Sequence, residues 1–205
     1  RGPEPAVSLV RLARPIAMPA LAPVSWSARM EASPEPQRIE FSWVGETARR
    51  LGTVVHRWLQ RIAEDGLQGW NAARVQAFGP AIRHELAARG VAQSELDAAT
   101  LTVQRALASS IEDPRGRWLL GAHPRAVTEY RITAIVDGEP RSLVIDRLFE
   151  DAQGESWIAD YKTSAHEGGD LERFLSEEEK RYRPQLERYA AAALRGRPAR
   201  LGLYF

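Results

Sequence analysis

Two aspartates and one lysine carry the most chemistry for their number: Asp146, in Leu-Val-Ile-Asp146, and Asp160 and Lys162, in Trp-Ile-Ala-Asp160-Tyr161-Lys162. Both aspartates sit inside apolar, β-branched runs that read as strands, and Asp151-Ala-Gln-Gly154 supplies the turn between them. Folding that hairpin symmetrically about Gln153 sets Asp146 opposite Asp160, Leu148 opposite Ile158 and Val144 opposite Lys162. Side chains alternate along a strand, so Asp146, Asp160 and Lys162 are expected on one face. Directly opposed Cβ atoms lie about 4.5–5.5 Å apart, and like charges there repel. At about 4 Å and an effective dielectric near 20 the repulsion is of order 4 kcal/mol. A shared divalent cation turns it into attraction, and hard carboxylate ligands suit Mg²⁺ or Mn²⁺. Every other basic residue except Lys180 is an arginine. A lone strand lysine beside two acids therefore stands out, since arginine cannot replace a compact amine.

The rest of the chain must hold that pair. Leu51, Val54, Val55, Trp58, Leu59 and Ile62 form one apolar stripe, predicting a helix from Thr47 to Asp65 ended by Gly66. A second helix is expected over 72–88, with Asn71 as N-cap and a kink or break at Gly79-Pro80. Ser94-Glu-Leu-Asp97 resembles a capping box opening a third helix that runs to Ser110. A turn of helix falls near Trp118–Leu120. Val127–Val136, Arg141–Glu150 and Glu155–Lys162 then form an antiparallel three-strand meander, with Asp137-Gly138 as its first turn. A helix over 177–194 and a final strand from Arg200 to Phe205 complete the pattern. Residues 1–40 hold seven of the 13 prolines without helical or strand period, and read as an extended arm or linker, leaving 41–205 as the domain. The beginning at Arg1 suggests a fragment of something longer.

Composition narrows the function classes. The chain has 205 residues, no cysteine and a net charge of +1. Disulfides, thiolate zinc sites and cysteine-ligated iron–sulfur clusters are excluded. Overall charge does not announce a nucleic-acid partner, so such a site must be a local patch or depend on metal. No apolar run approaches the roughly 18 residues of a membrane span.

Asp146 followed a dozen residues later by Asp160-Tyr161-Lys162-Thr163 resembles the core of the PD-(D/E)XK nucleases, most closely the RecB/AddA-type C-terminal nuclease domains of bacterial helicase-nucleases. Gly52-Thr-Val-Val-His56 is similar to that family's upstream GxxxH motif, and Gln185-Leu-Glu-Arg-Tyr189 to its downstream QxxxY motif. Leu143 departs from the pattern, where the branch usually carries glycine. The resemblance implies an α/β, restriction-endonuclease-like fold, with a central mixed sheet flanked by helices and a helical segment before it. It implies a cytoplasmic bacterial nuclease that hydrolyses phosphodiesters, with single-stranded DNA as substrate and a helicase domain or subunit as partner. Asp146, Asp160 and Lys162 would be catalytic. Asp146, Asp160, His56 and the Tyr161 backbone carbonyl would bind Mg²⁺ or Mn²⁺, with no iron–sulfur cluster. Gln185, Tyr189 and Glu129 would contact DNA or support the ligands. Arg147, Arg181 and Arg183 are candidates for holding phosphates, while His84, His123 and His166 read as surface residues. The alternative is an inactive nuclease fold that binds DNA or a partner helicase. An interaction domain that docks a partner through the arm is a third possibility.

Overall fold

The computed structural model describes residues 43–136, 138–162 and 170–205. The proposed arm at 1–40, Asp137 of the first turn, Thr163 and His166 lie outside them.

The first helix, α1 (Trp43–Glu64), starts four residues before the expected Thr47, and its predicted stripe is the spine of the core. Val54 and Ile62 are fully buried, and Val55, Trp58 and Leu59 nearly so. The expected helix over 72–88 is two, α2 (Ala72–Ala77) and α3 (Gly79–Ala88), with Pro80 in the first turn of α3, where its missing N–H costs no helical hydrogen bond. Asn71 caps α2, its side chain accepting from Arg74 N. The third helix, α4 (Leu96–Glu112), differs from expectation at its start. Glu95 occupies the N-cap without a side-chain bond, and Ser94 sits in the preceding turn, so the capping box does not form. The Glu95 carboxylate instead accepts from Thr47 Oγ1 of α1. A short α5 (Pro114–Leu120) follows, capped by Asp113.

The sheet is mixed, with order β1-β2-β3-β4. Strands β1 (Val127–Val136), β2 (Glu139–Glu150) and β3 (Ser156–Tyr161) form the antiparallel meander. The long helix α6 (Leu171–Leu194) then returns the chain so that β4 (Arg200–Tyr204) pairs parallel to β3. Helix α6 begins at Leu171 rather than Glu177, because Asp170 caps it by accepting from Arg173 N. Pro184 lies inside α6. One apolar cluster joins α1 to α5 with Phe149, Ala159 and Tyr161 of the sheet. A second packs Ile145 and Ile158 against Leu186, Tyr189 and Leu194 of α6. The sheet is thus covered on both faces, as expected of an α/β architecture.

The β2–β3 turn sets the register. Asp151 accepts from the backbone N–H groups of Gln153 and Glu155 and from Trp157 Nε1. Pairing outward from that turn gives Leu148↔Ile158 and Arg147↔Ala159, the register expected from the sequence. The Trp157 indole, followed by the backbone donors, holds the Asp151 carboxyl below its ordinary value of 3.8. A depressed pKa contributes stability above the unfolded value that is lost as pH falls through the folded one. Asp151→Ala is therefore expected to lower Tm near neutral pH, with the difference from wild type shrinking below about pH 4. Thermal melts across an acid pH series check this, and identical curves would remove Asp151 as the register clamp.

Candidate active site

Past Arg147↔Ala159 the regular ladder stops, at the position where Asp146 would face Asp160. On its other side, β2 pairs with β1 at Thr128↔Arg147 and at Tyr130↔Ile145, but not between them, where Glu129 would face Asp146. Glu129 has φ 47°, a left-handed conformation unusual for a non-glycine residue inside a strand. Both interruptions flank Asp146. By register, Glu129, Asp146 and Asp160 form one row of carboxylates across three strands.

Strict side-chain alternation also fails there. Leu143, Ile145 and Leu148 all pack with the α6 cluster, although 145 and 148 differ in parity, so β2 changes phase at Asp146–Arg147. The Asp146 carboxylate takes over part of the missing strand pairing, its Oδ2 accepting from Tyr161 N at 2.8 Å. The same oxygen lies 3.4 Å from His56 Nδ1. His56 reaches it from the flank of α1, one step around from the buried stripe, and meets the Tyr161 ring edge-on at 5.9 Å. Ligand atoms of His56, Glu129 and Asp146 all lie within 4.8 Å of one another, a spacing that a single cation can bridge. Glu129, expected only to support the ligands, stands among the potential ligands themselves.

Asp160 is 5% exposed, and its Oδ2 is 2.5 Å from Lys162 Nζ. This is a close, buried ion pair between the Lys162 ammonium and the Asp160 carboxylate. Lys162 is not paired with Val144 as the symmetrical hairpin implied. It follows the last residue of β3, and its N–H donates to Tyr204 O of β4 at 2.7 Å. Val144 pairs with Arg131 of β1 on its other edge, and the β2–β3 ladder ends before reaching it. The reason is local: the Asp146 carboxylate, rather than a β2 carbonyl, receives the Tyr161 N–H, so the strands part there. The Lys162 ammonium lies 3.6 Å from the centre of the Tyr182 ring, a cation–π contact from α6. Tyr182 was not anticipated. Its place one turn before Gln185 and two before Tyr189 was the available signal, but nothing in the sequence tied it to Lys162.

The electrostatics carry the strain of these neighbours. Burial raises the Asp160 carboxyl above its ordinary value, and repulsion from Asp146 adds to it, outweighing the Lys162 and His56 cations. Burial pulls His56 down, but its hydrogen bond to Asp146 and the charges of Asp146, Asp160 and Glu129 more than offset that, so its pKa is raised. Tyr189 is pushed up by burial, with the Asp160 and Asp146 charges contributing. Gln185 Nε2 donates to the Tyr189 hydroxyl at 2.6 Å, so the two are joined to each other on α6. Their contact with the acidic row is through charge rather than any hydrogen bond among the described residues. Tyr161 is buried, and burial raises its phenol strongly.

Other candidates stand elsewhere. Arg147 cannot hold phosphate: it is 2% exposed, donates to Gly121 O at 2.7 Å, and burial lowers its pKa. The phase change at Asp146 turns it into the core, which period alone did not reveal. Arg181 and Arg183 are exposed but paired along α6 with Glu178, Glu179 and Glu187. His84 is exposed. His123 is not a plain surface residue, for it is half-buried and stacks on Phe149 at 4.2 Å. No helix among the described residues is long and apolar enough to cross a membrane.

The residues present fit a divalent ion. Two carboxylates, Glu129 and Asp146, and one imidazole, His56, offer ligand atoms close enough to share one ion. Comparison with known proteins agrees with this geometry. No individual curated protein matches the chain significantly. A family model described as the PD-(D/E)XK nuclease superfamily matches residues 37–205, spanning every element of the sheet and every site residue above. Phosphodiester hydrolysis is what that membership implies, and on this match the chain belongs to the PD-(D/E)XK nuclease superfamily.

Proposed function

We propose that this protein is a Mg²⁺- or Mn²⁺-dependent deoxyribonuclease that cuts single-stranded DNA, of the RecB/AddA type, serving a helicase in the same chain or a partner subunit in the bacterial cytoplasm. The observation that carries the catalytic part is the Asp146 carboxylate: it lies between the His56 imidazole and the Tyr161 amide, in one row with Glu129 and Asp160. The helicase association and strand preference rest on the motifs His56, Asp160-Tyr161-Lys162 and Gln185/Tyr189.

Asp146, Glu129 and His56 would hold the cation, with Asp160 and the Tyr161 main-chain carbonyl completing the set. A divalent ion at such a site acidifies water and offsets charge on the phosphate. Lys162 is held in place from two sides, by Asp160 and by the Tyr182 ring. Its ammonium donates to the attacking water and neutralises charge developing on the phosphate oxygens. Water adds to phosphorus, the bond to the 3′ oxygen breaks and that oxygen takes a proton, leaving 5′-phosphate and 3′-hydroxyl ends. The Gln185–Tyr189 pair closes the α6 side beside Asp160.

Asp160→Ala and Lys162→Ala are each expected to reduce cleavage of single-stranded DNA by roughly 100-fold or more. Gel assays of wild type and variants in Mg²⁺, Mn²⁺ and EDTA measure this. Undiminished cleavage by the variants, or in EDTA, would remove the proposal. A ligand imidazole must also be neutral, and a raised His56 pKa means that metal displaces a proton there. Protons also oppose binding at Asp160, whose pKa is raised as well. Mn²⁺ affinity is therefore expected to rise between about pH 5.5 and about pH 7.5. Net proton release, seen by calorimetry in buffers of different ionisation enthalpy, should accompany binding. His56→Ala should flatten the profile; an unchanged profile would exclude His56 as a ligand.

A further inference from the structure

The flank of α1 that carries His56 is polar along its length. Arg49, Thr53, His56, Arg57 and Gln60 recur at three- and four-residue spacing and so share one face beside the buried stripe. They line an open cavity of about 690 Å³, completed by Arg89 at the end of α3 and by Glu129 and Arg131 of β1. Four guanidinium groups thus stand against one carboxylate. That carboxylate, Glu129, belongs with His56 to the candidate ligand group, so the cavity opens onto the site.

These arginines are available to a ligand. Arg49 is 3.7 Å from Glu46, Arg57 is 3.8 Å from Glu85, and Arg131 is 4.0 Å from Glu129. The three arginine side chains are 63–78% exposed, and pairs as long as these hold them only weakly. Arg89 has no ion pair among the described residues. The other wall of the site differs. Over 171–188, α6 carries as many carboxylates as cations, and Arg173, Arg181 and Arg183 pair with glutamates of the same helix. The positive field is therefore one-sided.

We propose that Arg49, Arg57, Arg89 and Arg131 hold the sugar–phosphate backbone of the nucleic-acid strand on one side of the scissile phosphate, so that the strand reaches the site between α1 and β1 and not along α6. This rests on the nuclease reading above and adds a direction of approach to it. Arg49 and Arg57 are two turns apart, about 12 Å along the helix axis. A stacked nucleotide advances about 3.4 Å and an extended one more, so the track spans at most about three to four nucleotides. The planar guanidinium fork donates to two phosphate oxygens at a time. Gly52, buried at the cavity floor between Arg49 and His56, adds no side chain to obstruct the backbone.

The test is the salt dependence of cleavage kinetics on a labelled single-stranded oligonucleotide with Mn²⁺. Arg57→Gln/Arg89→Gln is expected to raise KM roughly tenfold or more at moderate salt. It should also reduce the slope of log(kcat/KM) against log salt by about 1.4, the contribution of two phosphate contacts on a single strand. Calorimetric Mn²⁺ binding should match wild type, showing an intact site. The control pair Arg181→Gln/Arg183→Gln should keep the wild-type KM and slope. A groove variant with wild-type KM and slope, or a larger loss in the α6 pair, overturns this inference alone. Absence of cleavage by the wild type overturns the nuclease reading and this inference with it.

Discussion

Like charge held in a partly dry place is the constraint around which this domain is organised. Glu129, Asp146 and Asp160 stand where the pairing of three neighbouring strands is interrupted, and Asp146 and Asp160 are both buried. Burial and mutual repulsion push Asp160 up, while the surrounding carboxylates hold His56 protonated to higher pH. The site is thus poised to keep protons that a divalent cation would displace. Lys162 and His56 offset part of the repulsion, but neither balances the row.

Such an arrangement survives only if the backbone is determined elsewhere. Asp151 locks the β2–β3 turn with three accepted hydrogen bonds, and apolar side chains pack both sheet faces. With the register fixed, the ladder can open beside Asp146. The opening frees the Tyr161 amide for the Asp146 carboxylate and lets Lys162 leave the strand for its contacts with Asp160 and Tyr182. Glu129 at φ 47° is a second irregularity at the same row, a conformation that costs of order 1–3 kcal/mol for a non-glycine residue. Backbone irregularity is therefore concentrated where the ligand atoms converge, while the flanking pairs Thr128↔Arg147 and Tyr130↔Ile145 remain regular.

Much of this was legible because its causes are local. The α1 stripe, the break at Gly79-Pro80, the Asn71 cap and the hairpin centred on Gln153 follow from helical period, proline geometry and turn chemistry within a few residues. The errors have the opposite character. Ser94 had the composition of a cap, but Thr47 of α1 engages Glu95, and the helix starts beyond it. Asp170 starts α6 earlier than its apolar pattern suggests, because a cap acts through one hydrogen bond and not through period. Arg147 was a plausible surface cation until the phase change beside Asp146 sent it into the core.

By itself the sequence determined which residue types are available and, through the turn, the pairing of Leu148 with Ile158 and of Arg147 with Ala159, since register depends on neighbours along the chain. It also set His56 at the edge of a helix face and Gln185 one turn from Tyr189. Only the tertiary structure decided that His56 meets Asp146, that Glu129 joins them, that Tyr182 covers Lys162, and that Arg89 and Arg131 complete a groove begun by Arg49 and Arg57. Those contacts join elements far apart in the chain. Their distances follow from how helices pack on a twisted sheet, a quantity that no local period encodes.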